Sequence, residues 1–331
     1  MRYCWLSLLA LALVVAITIP TAGAPMEEVR VSFQPFQSNA GLFVAEHDGY
    51  FAAQGMRVRW VPLTGSAQIL SVLLQGEIDV GATTVSPAFF NAVARGGRLR
   101  IVADKGHVAG KGSVGSVVVR RDLAGRFRTV ADLKGRKIAV QTIGGLSHYV
   151  LAKALIAAGL SLDDVTLVTI PAAASVAALQ GGAVDAAVLP VPLDTQAEEV
   201  GVGVKMLDFA DLIPGEPTAF LFYGPSLLER RPAVGVRFLI AYLRALRRYN
   251  EGPTPRNVAI VAQYTKIDAP TIQKGGWIGI HPDARVDVAK LRRFQDWQFD
   301  IGLISVRSPV TILVDVSVLE QAWAQLGLQG R

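Results

Sequence analysis

The chain has 331 residues, which is more than one hydrophobic core usually organises, so its length favours two domains. The formal net charge is +6, but the basic residues lie in small clusters without interleaved aromatic side chains. This pattern is untypical of a nucleic-acid groove, and no nucleic-acid partner is expected. Cys4 is the only cysteine, so the chain that follows it has no disulfide and no cysteine metal ligand.

The first 24 residues have the organisation of an export signal. Arg2 supplies the positive start, residues 6–19 are continuously apolar, and Ala22-Gly23-Ala24 offers small residues for cleavage. No later run reaches the ~18 apolar residues that a membrane span needs. We therefore expect an exported protein, which stays anchored in the membrane by its N-terminus if the signal is not cleaved.

Strands and helices alternate after the signal. The first run predicts strands over residues 29–33, 57–62, 80–82 and 100–103 and helices over 40–54 and 67–75, with another helix starting at Ser86-Pro87. This βαβαβ order predicts a parallel sheet with helices on both faces.

Four glycines between residues 106 and 115 interrupt the pattern, and a second alternating run follows. It predicts strands over residues 117–119, 137–141, 165–170, 186–189, 204–207 and 219–223 and helices over 147–158 and 173–180. From Pro225 onward the chain is predicted to be nearly all helical, over residues 227–249, 255–264, 269–275, 286–301 and 316–326.

A short repeat links the two runs. Residues 74–81 (LQGEIDVG) return as residues 179–186 (LQGGAVDA), and each copy ends a helix at glycine and then places an aspartate before a strand. The repeat predicts two similar lobes with a cleft between them. Residues 25–110 and 218–331 would form lobe 1 and residues 111–217 lobe 2, and the two crossings between the lobes would act as a hinge. Asp79 and Asp185 are expected to be structural, because they precede strands at the end away from the cleft.

The predicted ligand site lies at the carboxyl ends of the strands, where helix starts present free N–H groups. These groups and the helix dipole favour anionic oxygens, and nearby hydroxyls can complete the shell. The alternative is that the serines and threonines only cap their helices. Phe36 either covers an apolar part of a ligand or packs in the core. The candidate ligand-binding residues are Phe36, Ser38, Asn39, Gly65, Ser66, Thr83, Thr84, Thr142, Gly144, Gly145 and Pro190.

Signals for catalysis or metal binding are weak. The chain lacks the common nucleophile, phosphate-loop and zinc-protease motifs, and its four histidines lack metal-ligand spacing. We expect no catalytic residue, no metal and no cofactor. His148 could touch a ligand but is expected more often to be a surface residue. His107 and Lys111 form either a mobile positive lip or a solvated loop, and the loop is favoured.

Several segments together resemble periplasmic substrate-binding proteins for nitrate, sulfonates, taurine and thiamine-precursor pyrimidines. The resemblance covers residues 29 to about 195, and its motifs are specific for the family but nearly silent on the ligand. The segments that carry it are residues 29–31, 41–55 (GLFVAEHDGYFAAQG), 65–66, 73–84, 99–103, 132–140 (DLKGRKIAV), 157–160 and 184–187.

The resemblance implies an α/β, two-lobed type II periplasmic binding protein fold with a doubly crossed hinge and parallel-dominated sheets. It also implies a monomeric receptor that closes on a small, anionic or strongly polar solute and delivers it to an inner-membrane ABC permease. Relatives often have an aromatic-acid-Pro turn where this chain has Leu189-Pro190-Val191-Pro192. An acidic contact to a cationic ligand is therefore not expected there. The alternatives are an enzyme on the same fold, similar to thiamine-pyrimidine synthases, and a ligand-binding sensory subunit.

Overall fold

The computed structural model describes residues 26–110, 112 and 114–328. The predicted signal over residues 1–24, with Cys4, and the candidate Lys111 lie outside these residues. Within the described residues, no helix combines the length and apolar character that crossing a bilayer requires.

Two five-stranded mixed sheets flanked by helices form the framework. The first sheet has the order β2-β1-β3-β10-β4 and the second the order β7-β6-β8-β5-β9. The strands are β1 Glu27–Phe33, β2 Met56–Pro62, β3 Val80–Thr83, β4 Arg100–His107, β5 Gly115–Arg120, β6 Lys137–Val140, β7 Thr166–Thr169, β8 Ala186–Pro190, β9 Gly203–Asp208 and β10 Pro217–Tyr223. The predicted two-lobed α/β class is confirmed.

Each sheet contains one strand that runs against the other four. β10 pairs antiparallel with both β3 and β4, and β5 pairs antiparallel with both β8 and β9. These are the strands that directly follow the two crossings between the sheets. The sheets are thus parallel-dominated, as expected from the βαβ order.

The helices flank the sheets and fill the C-terminal third. They are α1 Ala40–His47, α2 Ser66–Gln75, α3 Pro87–Ala94, α4 Leu146–Ala157, α5 Ala172–Gln180, α6 Leu193–Glu199, α7 Pro232–Tyr249, α8 Pro255–Thr265, α9 Ala269–Lys274, α10 Val288–Asp300 and α11 Ser317–Gln325.

Three predicted elements differ from the structure. The helix over residues 40–54 ends at His47, because Gly49 adopts a φ of 70° and turns the chain. The helix over residues 227–249 is a short π-helical turn followed by α7, which begins at Pro232. The strand over residues 100–103 continues to His107, and α6 was not predicted.

The two crossings are hydrogen-bonded to each other. The Val108 N–H donates to Glu216 O at 3.0 Å, and the Gly215 N–H donates to Val108 O at 2.9 Å. On one side of the crossings His107 is the register partner of Pro217, and on the other side Ser116 is the partner of Asp208. The chain therefore leaves the first sheet and returns to it along adjacent paths.

The two repeated aspartates make equivalent contacts, each to a backbone N–H of the neighbouring strand. The Arg30 N–H donates to Asp79 Oδ2 at 2.8 Å, and the Lys137 N–H donates to Asp185 Oδ2 at 3.0 Å. Asp79 is fully buried and also accepts hydrogen bonds from the side chains of Arg30, Ser226 and Arg231. These contacts support the structural interpretation of both aspartates.

The C-terminal helices contact both units, whereas the sequence placed all of residues 218–331 in lobe 1. α7 packs on α1 and α11 of the first unit. α9 reaches α6 through Lys274, whose Nζ lies 2.6 Å from Glu199 Oε1. α10 covers α4, where the Tyr149 ring packs edge-on against Phe294 and Trp297 with centroids 5.0 Å away in both pairs.

His148 lies in this α4–α10 interface, so its expected surface position is wrong. It is 4% exposed, and its Nδ1 accepts the Gly144 N–H at 2.9 Å. Nε2 must then carry the proton of the neutral ring. Burial lowers the pKa of His148 to about 4, so the ring is neutral near pH 7.

We predict that Asp79→Ala lowers the free energy of unfolding by about 3–5 kcal/mol, because two arginines lose a buried partner. Asp185→Ala is the matched control, since Asp185 is partly exposed, and it should cost about 1 kcal/mol. Burial alone would raise the pKa of Asp79, but hydrogen bonds from Arg30 and Ser226 lower it overall.

The contribution of Asp79 to the free energy of unfolding should therefore be fully present above the unfolded pKa of about 3.9. It should be lost as the pH falls through the lower pKa of the folded chain. Urea denaturation checks both variants. Equal losses for the two would contradict the assignment of Asp79 as the main structural carboxylate.

The second prediction concerns acid stability. The pKa of His148 is lower in the folded chain than in the unfolded chain. Its contribution to the free energy of unfolding is therefore fully present above the unfolded pKa of about 6.5 and declines as the pH falls toward 4. Between about pH 7 and about pH 4.5, the free energy of unfolding of His148→Gln should therefore fall by about 2 kcal/mol less than that of the wild type. Parallel denaturation curves at both pH values measure this, and identical losses would rule it out.

Candidate functional site

A cavity of about 110 Å³ lies between the carboxyl ends of strands from both sheets. A single water needs about 10–15 Å³ by the same measure, so the space suits a small solute. Nine of the predicted site residues line it: Phe36, Ser38, Gly65, Ser66, Thr83, Thr84, Thr142, Gly145 and Pro190.

The other two candidates, Asn39 and Gly144, do not line the cavity. Asn39 is buried behind it, where its amide donates to Gln34 O at 2.7 Å. Gly144 has a φ of 75°, and its carbonyl accepts a hydrogen bond from Gln298 at 2.6 Å. Both residues fix the loops that form the cavity wall.

Three helices begin at the cavity. Their first residues include Ser66 of α2, Leu146 of α4 and Ala172 of α5, all of which line it. None of the three has a side-chain hydrogen bond at its N-cap. The alternative that Ser66 merely caps α2 is therefore wrong, and the helix starts leave N–H groups and positive dipole ends at the cavity.

Two buried hydroxyls in the cavity wall have no hydrogen-bond partner. Ser66 is 3% exposed and Thr218 is 5% exposed, yet neither side-chain oxygen is paired within the described residues. An unpaired buried polar group is costly unless something else satisfies it. These hydroxyls are therefore suited to bind a polar atom of a solute.

Lys105 is the one charged residue among the described residues that line the cavity. It is 2% exposed, and its Nζ donates to Asn39 Oδ1 at 2.9 Å and to Ser38 Oγ at 3.0 Å. Burial lowers its pKa to about 7, while the charge of the neighbouring Asp104 raises it and only partly offsets the burial.

The wall also has an apolar part. Its side chains come from both units and are those of Phe36, Val114, Leu146, Val191 and Ile278. The turn over residues 189–192, where relatives were expected to have an aromatic-acid-Pro turn, contributes Pro190 and Val191 to the cavity wall. A bound solute would thus meet polar groups and apolar surface together.

The sequence did not single out Lys105, Thr218 or Ile278. Lys105 looked like a polar residue after a predicted strand, whereas β4 continues through it to His107. Thr218 and Ile278 reach the cavity only through long-range packing. The one local signal was the charged pair Asp104-Lys105 at the end of an apolar strand.

A second polar cluster lies beside the crossing. Asp104, His107 and His281 place one ligand atom each within 4.8 Å of one another. The two imidazole rings stack with centroids 4.2 Å apart and planes 18° apart, so their in-plane lone pairs run side by side rather than converge. The Asp104 carboxylate already accepts the N–H groups of Gly106 and His281. We assign no metal to this cluster, which also shows that His107 is not a solvated loop residue.

The fold agrees with that of known proteins. An aliphatic sulfonates-binding protein of Escherichia coli K12, itself named as putative, is 28% identical over 270 residues, with 81% of this chain and 80% of the relative covered. The nitrate-binding protein NrtA of Synechocystis PCC 6803 superposes with a TM-score of 0.77 at 16% identity, over 91% of this chain and 89% of that one. The desulfurization enzyme DszB superposes with a TM-score of 0.67 at 17% identity, over 91% and 99%.

The sequence match is the decisive comparison. Residues 22–265, more than half of the chain, match the model of the NMT1-like family. Together with relatives named as sulfonate-, taurine- and nitrate-binding proteins, this match confirms the family resemblance that residues 29–195 suggested. The chain therefore belongs to the NMT1-like family.

Proposed function

We propose that the protein is a periplasmic receptor that binds a small organic anion and delivers it to an ABC-type importer. The observation that carries this proposal is Lys105, the one charged residue among the described residues of the cavity wall. Anionic solutes match both this charge and the helix starts. The relative named as a putative aliphatic sulfonates-binding protein supports a sulfonate-like head group.

The solute is expected to carry an apolar portion beside its anionic head. The head group would meet Lys105 and the unpaired hydroxyls of Ser66 and Thr218, while Phe36 and Ile278 offer apolar surface. An alkyl or aryl sulfonate combines these two properties. The protein would act as a monomer. On binding, the two sheets would move together around the solute by a hinge motion at the two crossings.

An enzyme on this fold is the second candidate, because the DszB structure is similar over nearly its whole length. The cavity wall, however, offers hydroxyl groups without an adjacent histidine base among its residues. His148 is not a substitute, since its Nδ1 already accepts the Gly144 N–H. The single cysteine, Cys4, lies in the predicted signal. These features favour binding over catalysis by a histidine-activated hydroxyl or a cysteine.

A ligand screen tests the proposed function. We expect ethanesulfonate, taurine or nitrate to raise the melting temperature, whereas ethylammonium, a cation of similar size to ethanesulfonate, should have no effect. Lys105→Met should weaken binding of the responding anion by about tenfold to a hundredfold, as for a lost charge-assisted hydrogen bond. Lys137→Met, whose exposed side chain lies at the opposite end of β6, is the control.

Two outcomes would contradict the proposal. If only cations or uncharged apolar compounds stabilised the protein, the solute would not be an anion. If the recovered anion were chemically converted after prolonged incubation, the enzyme alternative would replace the receptor.

The unpaired hydroxyls give a prediction in which stability and affinity change in opposite directions. Thr218→Val keeps the side-chain shape but removes an unpaired buried hydroxyl, so the free energy of unfolding should stay unchanged or rise by up to about 1 kcal/mol. The affinity for the anion should fall by about threefold to tenfold. Denaturation and calorimetry on the same sample measure both, and a gain or no change in affinity would exclude Thr218 from the site.

A further inference from the structure

Lys105 is buried without an acidic partner. Within the described part of the chain, no carboxylate oxygen forms an ion pair with its Nζ, and its contacts are Ser38 O at 3.3 Å, Ser38 Oγ at 3.0 Å and Asn39 Oδ1 at 2.9 Å. All three acceptors are neutral. Removing an ammonium from water without a counter-charge is unfavourable, and the usual outcome is loss of the proton.

The nearest acid faces other groups. Asp104 precedes Lys105 in β4, and the pairing of β4 with β10 shifts its register between Asp104 and Gly106, so that Lys105 has no register partner. The Oδ1 of Asp104 accepts the Gly106 N–H at 3.1 Å, and its Oδ2 accepts the His281 N–H at 3.0 Å and lies 3.5 Å from His107 Nδ1. Asp104 therefore attracts the lysine charge from a distance without hydrogen-bonding to it.

The other groups around this part of β4 carry no formal charge of opposite sign. From α7, the Tyr242 hydroxyl donates to Asp104 O at 3.0 Å and the Tyr249 hydroxyl donates to Ile278 O at 2.6 Å. Burial holds the pKa of both tyrosines well above their usual value, so both stay neutral. The residues from β10 in the cavity wall are Thr218 and Ala219, which are both uncharged.

The neutral amine can also be accommodated. An –NH₂ group has two donors and one acceptor, and the Ser38 hydroxyl can either accept from the amine or turn its proton toward it. The same contacts thus satisfy both protonation states in the absence of a solute. An anion in the cavity would add the missing counter-charge and favour the ammonium.

We propose that binding of the anion is coupled to the uptake of one proton from solvent by Lys105, so that a neutral lysine in the free protein becomes an ammonium in the complex. This inference rests on the proposed function, because it assigns the charge state of the same site. The balance is one amine, one proton and one anion giving one ammonium–anion pair. No other reactant is needed.

The pH dependence follows from the lowered pKa of Lys105, about 7. Below that value the free protein already carries the ammonium, and above it the proton must be acquired on binding. The affinity for a permanently ionised sulfonate should therefore be highest in mildly acidic solution and fall by about tenfold between about pH 6 and about pH 8. Burial lowers the pKa of His281 below its usual value, which moves its titration away from this range.

Two measurements test the proposal. In the free protein, NMR of ¹³C-labelled lysine should show a resonance that titrates near neutral pH and is absent from Lys105→Met. Calorimetry with ethanesulfonate at about pH 8, in Tris and in triethanolamine, should give a difference in heat that corresponds to about one proton taken up. Sulfonate buffers are avoided because they resemble the probe.

Lys105→Arg is the matched variant, because arginine stays charged throughout this range. Its affinity for ethanesulfonate should be independent of pH, which separates Lys105 from His107, a residue that both proteins retain. If the wild type bound ethanesulfonate equally at every pH with no proton uptake, the coupling would be wrong and the receptor function would stand. If the neutral-range titration were absent from the lysine spectrum, the coupling would be overturned without reference to any ligand. If the titration were present but no anion bound, the proposed function would fail and the coupling with it.

Discussion

The arrangement depends on one carboxylate at the start of a central strand in each sheet. Asp79 and Asp185 each bind a backbone N–H of the neighbouring strand, which fixes the relative position of β3 and β1 and of β8 and β6. This register places the carboxyl ends of the parallel strands at the same edge of each sheet. Their ends, followed by turns and helix starts, then form a continuous edge in each unit. The cavity lies where the two edges face each other.

The chemistry of the cavity follows from how little charge it contains. Hydroxyls, helix starts and one buried lysine can solvate an anion without the desolvation cost of several fixed cations. A lysine suits this position better than an arginine if the empty site is to be uncharged, because a guanidinium does not release its proton at physiological pH. The unpaired Ser66 and Thr218 hydroxyls follow the same logic, since they are neutral donors that lack a partner in the part of the chain that the structure describes.

Local sequence patterns were sufficient to predict the two-lobed α/β framework and many of the residues that line the cavity. The positions of Thr83, Thr84 and Thr142 could be predicted because each follows a recognisable strand and strand ends share an edge. Lys105 could not, because its burial comes from Ser38 and Asn39, which are more than sixty residues away. His148 was misplaced for a related reason. Its helix has no exposed face at that point, since α10, which follows more than a hundred residues later, covers it.

The pairing of the two crossings affects which changes of the sequence the fold can accept during evolution. Residues 116 and 208, near the two ends of the second unit, are register partners on neighbouring strands. A segment that enters and leaves at one point can be lengthened, shortened or exchanged without changing the connections of the rest. The second unit can therefore vary as a cassette, bringing a new half of the cavity wall to an unchanged first sheet. The lining of the cavity can then change by replacement of one half of the wall rather than by redesign of both.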